Sequence, residues 1–200
     1  LLTGFKKKTA VFISGSGSNL KSLIKFSKIK NSPISIDIII SNNSKAKGLK
    51  YGKIFKIKKK VFDFKNKNSS EKKILFLLAK NKIDLICLAG FMKVLSKNFI
   101  KNFNGKILNI HPSFLPKYKG LNTHQRVINN KEKYSGCTVH FVSSKLDAGK
   151  IIVQKKVKVN NNETAKTLAN KILFQEHKLL SLIHISEPTR RTPISYAVFC

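Results

Sequence analysis

Asn109 and His111 stand two positions apart in the run Leu108 to Ser113, and that run reads Leu-Asn-Ile-His-Pro-Ser. The apolar segment Ile107 to Ile110 before them predicts a strand, and the alternation of a strand puts residues two apart on the same side. A carboxamide and an imidazole would then converge at the carboxyl end of the strand. Such a pair can stabilise negative charge developing on a carbonyl oxygen and can move a proton. Taken alone, the spacing also fits a satisfied polar strand end. Nothing at metal-ligand spacing accompanies the pair, and there is no serine elbow to supply a nucleophile.

A second group lies near the start, in Ser14-Gly15-Ser16-Gly17-Ser18-Asn19. It follows a strand-like run and precedes a helical one. Glycines there permit a tight turn and let backbone N–H groups face an anion at the helix N-terminus. Gly15, Gly17, Ser18 and Asn19 are therefore candidates for holding a phosphate. The spacing is neither that of a dinucleotide fingerprint nor that of a P-loop. A plain Gly-Ser turn with Ser18 or Asn19 capping the helix is the structural alternative. A third candidate is Asp147 in Leu-Asp-Ala-Gly, which by itself reads as a turn residue. If strand-end loops share one edge, its carboxylate can reach His111 and raise the imidazole pKa.

The elements that must position these groups are legible as alternating runs. Thr9 to Ser14, Ile36 to Ser41, Val61 to Phe64, Leu85 to Ala89, Ile107 to Ile110 and Cys137 to Val142 predict strands. Between them, Asn19 to Ile29, Lys45 to Phe55, Ser70 to Asn81 and Ser96 to Phe103 carry apolar residues at helical spacing. Alternation of this kind predicts a single-domain α/β fold: a mostly parallel, Rossmann-like sheet with helices on both faces. Ligands in such sheets gather beyond the carboxyl ends of the strands. Gly136 to Val142 and Ile151 to Val159 follow each other without a helix, so a mixed or antiparallel edge is expected. A closing amphipathic helix is predicted from Glu163 onward, with Asn162 and Glu163 as its start signal.

The net charge of +31 and the pI near 10.3 would suit a nucleic-acid partner. The lysines, however, are spread over every segment together with Asn, Ile and Phe, as an A+T-rich coding sequence would produce. No dedicated nucleic-acid surface is expected. Lys, Asn or Ser interrupts every apolar run, so no membrane span is predicted. No export signal is read at the start. Cys87, Cys137 and Cys200 are far apart, which predicts reduced thiols in a cytoplasmic protein.

Several blocks together resemble the phosphoribosylglycinamide formyltransferase family. They are ISGSGSNL at Ile13 to Leu20, LAGFMKVL at Leu88 to Leu95, LNIHPSFLPKYKGLNTH at Leu108 to His124, VHFV at Val139 to Val142, LDAGKII at Leu146 to Ile152 and QEH at Gln175 to His177. The resemblance implies transfer of the formyl group of 10-formyltetrahydrofolate to the amine of glycinamide ribonucleotide, a step of purine synthesis, without a metal. It implies that Asn109 and protonated His111 stabilise the oxyanion, and that Asp147 keeps His111 charged and relays protons. It also implies that Gly15, Gly17, Ser18 and Asn19 hold the substrate phosphate, that Glu176 contacts the ribonucleotide, and that Met92, Lys93, Val94 and Leu95 line the folate pocket beside Asn109. The partners would be these two small molecules, and the protein a monomer or homodimer.

Methionyl-tRNA formyltransferases and formyltetrahydrofolate hydrolases share parts of the pattern. Gly120 to His124 departs from the first of these. Position 93 is Lys where the family often has Arg, and Lys65 to Lys73 offers no Arg for a folate contact. The strings Leu180 to Arg190 and Ile194 to Cys200 resemble adapter read-through, so the formyltransferase domain is expected over 1–179 and a non-native tail over 180–200. His184 and Cys200 would then have no function, and Leu1 to Phe5 would be upstream read-through.

Overall fold

A computed structural model describes residues 6–180; the expectations about Leu1 to Phe5, His184 and Cys200 lie outside the described residues. Seven strands form one sheet in the order β3-β2-β1-β4-β5-β6-β7. Their ranges are β1 Lys7–Ile13, β2 Ile34–Ser41, β3 Lys58–Val61, β4 Leu85–Leu88, β5 Lys106–His111, β6 Tyr134–Phe141 and β7 Ile151–Lys158. β1 through β5 run parallel, while β6 and β7 add antiparallel to β5. The order reverses direction at β1, between β2 and β4. That reversal opens a crevice at the carboxyl ends of β1 and β4.

The helices are α1 Ser18–Ser27, α2 Lys50–Ile54, α3 Lys67–Lys80, α4 Lys97–Asn102, α5 Thr123–Asn129 and α6 Ala165–Leu180. Each interior strand sends alternate residues to opposite faces. In β1, Val11 and Ile13 join Leu23, Ile24, Leu168 and Ile172 under α1 and α6. Ala10 and Phe12 point the other way, to Ile74, Leu78 and Phe99 of α3 and α4. Both faces of the sheet are thus covered by apolar side chains, whose removal from water supplies the main stabilising term.

Three local expectations are corrected. β3 lies at Lys58–Val61 rather than Val61 to Phe64, and all of it is exposed. It is an edge strand, so its lysines carry no apolar signal. Phe64–Asn66 instead forms a 3-10 turn, with the Asp63 side chain accepting from the Lys65 N–H at 2.9 Å. The helix expected over Lys45 to Phe55 divides into a 3-10 turn, Lys47–Leu49, and the short α2. The closing helix starts at Ala165, after a turn in which Thr164 accepts from the Thr167 N–H at 3.2 Å. Glu163 caps that preceding turn by accepting from the Asn160 N–H at 3.1 Å. The sequence pattern does not mark α5, because Val127 is its one buried apolar residue and gives too little periodicity.

Candidate active site

β5 carries Asn109 and His111 to the edge that the sequence predicts. The antiparallel neighbour β6 sets Asn109 opposite His140 and His111 opposite Thr138. The chain leaves β6, turns through Asp147 and comes back as β7. Gly149 makes the return possible: a Cβ there would lie 1.8 Å from the Phe141 carbonyl oxygen. Asp147 itself has a φ of 44°, a left-handed conformation that Asp tolerates better than most side chains.

The result is a buried cluster on one carboxylate. Asp147 Oδ2 lies 3.3 Å from His111 Nδ1 and accepts from the Gly120 N–H at 2.9 Å. Asp147 Oδ1 accepts from Asn109 Nδ2 at 3.3 Å and lies 3.6 Å from His140 Nε2. His111 Nε2 faces the Tyr118 carbonyl oxygen at 2.9 Å. The strap from Tyr118 to Gly120 therefore clamps both members of the His111–Asp147 pair through its backbone. Arg126 donates to the Lys119 carbonyl at 2.7 Å, and Glu132 accepts from the Tyr118 hydroxyl at 3.0 Å. Both contacts hold the strap down.

Burial alone would raise the Asp147 pKa. Contacts with His140 and the Gly120 N–H, together with the neighbouring imidazole charges, outweigh it and hold the carboxyl below its ordinary range. His111 departs from expectation. Asp147 and the Tyr118 carbonyl do pull its pKa up, but burial is larger and, with His140 and Arg126 acting in the same direction, leaves it below the ordinary value. The resting pair is a carboxylate beside a neutral imidazole. Both ring nitrogens nevertheless face acceptors, so an imidazolium formed there would find each N–H satisfied.

The second site is built mostly from backbone. Gly17 caps α1 in the left-handed region, with φ 73° and no side-chain cap. Neither Ser18 nor Asn19 caps the helix. Gly17 packs so closely on Gly48 that an added Cβ would lie 2.6 Å from the Gly48 Cα, and the Gly48 N–H donates to the Gly15 carbonyl at 2.9 Å. This close approach seats the 3-10 turn before α2 against the loop. The first intrahelical bond is Lys21 N–H to the Gly17 carbonyl, leaving the N–H groups of the first turn free to meet an anion. Asn19 is buried and donates from Nδ2 to Glu176 Oε2 of α6 at 2.8 Å. Burial raises the Glu176 carboxyl to about 7, against the opposing pull of that Asn19 bond.

The segment after β4 completes the edge. The Met92 N–H donates to Ser14 Oγ at 2.8 Å, which ties it to the loop after β1. Met92, Lys93 and Val94 are exposed there. Leu95 is buried in the layer under α3 and α4, so its side chain serves the core. His140 is the residue that sequence reasoning missed: it is 2% exposed and reads as one more member of an apolar strand. Among the described residues, no group of three or more His, Cys, Asp or Glu side chains is arranged to hold a metal ion. Cys87 and Cys137 are free, buried thiols whose pKa values burial pushes up to about 12.

The family model for formyl transferase matches residues 7–183. Phosphoribosylglycinamide formyltransferase of Haemophilus influenzae is 41% identical over 180 residues, covering 88% of this chain and 85% of the relative. The chain belongs to the phosphoribosylglycinamide formyltransferase family. Within that family the crystal structure from Brucella melitensis superposes with a TM-score of 0.83 at 42% identity, covering 89% of this chain and 93% of that one. The human trifunctional purine biosynthetic protein adenosine-3 is 42% identical over 177 residues, 87% of this chain. The chain spans 18% of the length of that human relative.

Among the described residues, no helix is long and apolar enough to cross a membrane.

Proposed function

We propose that this chain transfers the formyl group of 10-formyltetrahydrofolate to the amine of glycinamide ribonucleotide, in the cytoplasm and as a monomer or homodimer. The observation that carries the reading is the convergence of Asn109, His111 and Asp147 on the same sheet edge as a helix N-terminus suited to a phosphate. The folate supplies a formyl carbon already activated for attack. Met92, Lys93 and Val94 offer an exposed, partly apolar wall for it.

In this reading Gly15, Gly17 and Ser18 hold the substrate phosphate through free N–H groups and a hydroxyl. Asn19 and Glu176, joined at 2.8 Å, meet the ribonucleotide from beneath. The attacking amine must lose a proton while negative charge gathers on the formyl oxygen. Asn109 Nδ2 and His111 Nε2 face acceptors inside the free protein, and an oxyanion competes for those N–H groups because it accepts more strongly than a carbonyl does. The His111–Asp147 pair, a carboxylate beside a neutral imidazole, takes up the amine's proton through water, and Asp147 stabilises the resulting imidazolium through Nδ1. As the formyl carbon breaks its bond to the folate nitrogen, that nitrogen recovers the proton and tetrahydrofolate leaves. Removing one such oxyanion donor costs roughly 10² to 10³ in rate.

The deciding assay offers the purified protein 10-formyltetrahydrofolate with glycinamide ribonucleotide, with methionyl-tRNA, or with water alone. Formylglycinamide ribonucleotide should form, with little deformylation in the other reactions. A folded protein that prefers tRNA or water would contradict the proposal.

A further inference from the structure

We infer that His140 is a positioning residue that orients the Asn109 carboxamide, a role that rests on the reading of Asn109 as an oxyanion donor. His140 is almost fully buried and lies directly across the β5–β6 ladder from Asn109. Its Nδ1 sits 2.8 Å from the Phe141 carbonyl oxygen, which can only accept. Nδ1 therefore carries a proton, and in the neutral form of the ring Nε2 is an acceptor. That acceptor faces Asn109 Nδ2 at 3.2 Å.

The contact settles which way the amide points. With Nδ2 toward His140 Nε2 and Asp147 Oδ1, both Asn109 N–H groups meet acceptors. With the amide flipped, its carbonyl oxygen would face a carboxylate oxygen and a nitrogen lone pair. Asp147 Oδ1 supplies one acceptor, 3.3 Å from Nδ2, and one contact leaves the amide plane free to rotate about it. His140 supplies the second acceptor and fixes the plane of the amide. The carboxamide is thus held with its N–H edge inward, beside His111, where a substrate oxygen can compete for one of the N–H groups.

The chemical role of His140 is that of an acceptor at one point in space. A glutamine can place its Oε1 near the Nε2 position; a leucine fills the volume without any acceptor. Steady-state formyl transfer by His140→Leu, His140→Gln and Asn109→Ala, each confirmed as folded by its thermal melt, separates the possibilities.

His140→Leu should lower kcat by about 10- to 100-fold, the range for losing a group that orients a first-line residue, with KM for the ribonucleotide changed by less than about threefold. His140→Gln should recover most of the rate. The Asn109 side-chain NH2 resonances, assigned by their loss in Asn109→Ala, should be resolved in the native protein and His140→Gln. In His140→Leu they should shift and exchange faster with solvent. Equal rates for the leucine and glutamine variants, or unmoved Asn109 resonances in His140→Leu, would overturn the inference. If Asn109→Ala itself keeps the full rate, the reading of Asn109 as donor fails instead.

Discussion

The two halves of the sheet build their carboxyl edge from different materials. On the parallel side, the loop after β1 presents backbone N–H groups at the start of α1 and forms its shape from the contact of Gly17 with Gly48. On the antiparallel side, β5, β6 and the turn at Asp147 present buried side chains, namely Asn109, His111, His140 and Asp147. A backbone site tolerates changes of side chain but no added Cβ. A side-chain cluster tolerates neither loss of an atom nor loss of a charge. Binding and chemistry should therefore be separable by mutation.

The largest effect is expected on the chemical side. Asp147→Asn keeps the left-handed turn, which Asn also tolerates, and keeps an acceptor for the Gly120 N–H. It removes only the charge that supports an imidazolium at His111. kcat should fall by about 10² to 10³, with KM for the ribonucleotide nearly unchanged. The His111 pKa should fall further below its ordinary value, as histidine NMR can follow.

Next comes Glu176, where the two halves touch through Asn19. Its carboxyl is raised from the ordinary 4.5 to about 7, so the folded state resists an ionisation that the unfolded chain allows. Stability is therefore lost as pH rises from about 4.5 to about 7, and the whole cost is present above that. The difference corresponds to about 3 kcal/mol. Glu176→Gln, which can keep the Asn19 bond, should stabilise the fold by roughly that amount at pH 8 and have little effect near pH 4. Denaturant melts at the two pH values check the sign.

On the binding side, Gly17→Ala forces a Cβ into the left-handed region and against the Gly48 backbone. The expected cost is about 1 to 3 kcal/mol of stability. KM for the phosphorylated substrate should rise while kcat stays near normal. A kcat loss as large as that of Asp147→Asn would erase the proposed separation. The smallest effect belongs to both halves: with a net charge of +31, added salt should raise the melting midpoint slightly by screening self-repulsion, and should weaken capture of the anionic substrate.

The same contrast decides what the amino-acid sequence makes legible. Asn109 and His111 were legible because a strand alternates, and the interior strands because they are continuous apolar runs. The glycine loop was legible as a helix start, although its cap turned out to be Gly17. Asp147 needed the family resemblance, since no local pattern links a turn to a residue in another strand. His140 was invisible for the same reason: its meaning comes from the register that sets it opposite Asn109. β3 escaped because an edge strand of lysines has no buried face. The expected rise in the His111 pKa failed on burial, which spacing does not report.

His111 is proposed to perform the chemistry without being needed to bind the phosphate. The most direct measurement is formyl transfer to glycinamide ribonucleotide by His111→Ala alongside the native protein, with kcat and KM resolved separately. A fall in kcat of at least about 10²-fold, with KM for the ribonucleotide within a few-fold of native, is predicted. An undiminished kcat in a folded His111→Ala protein would contradict it.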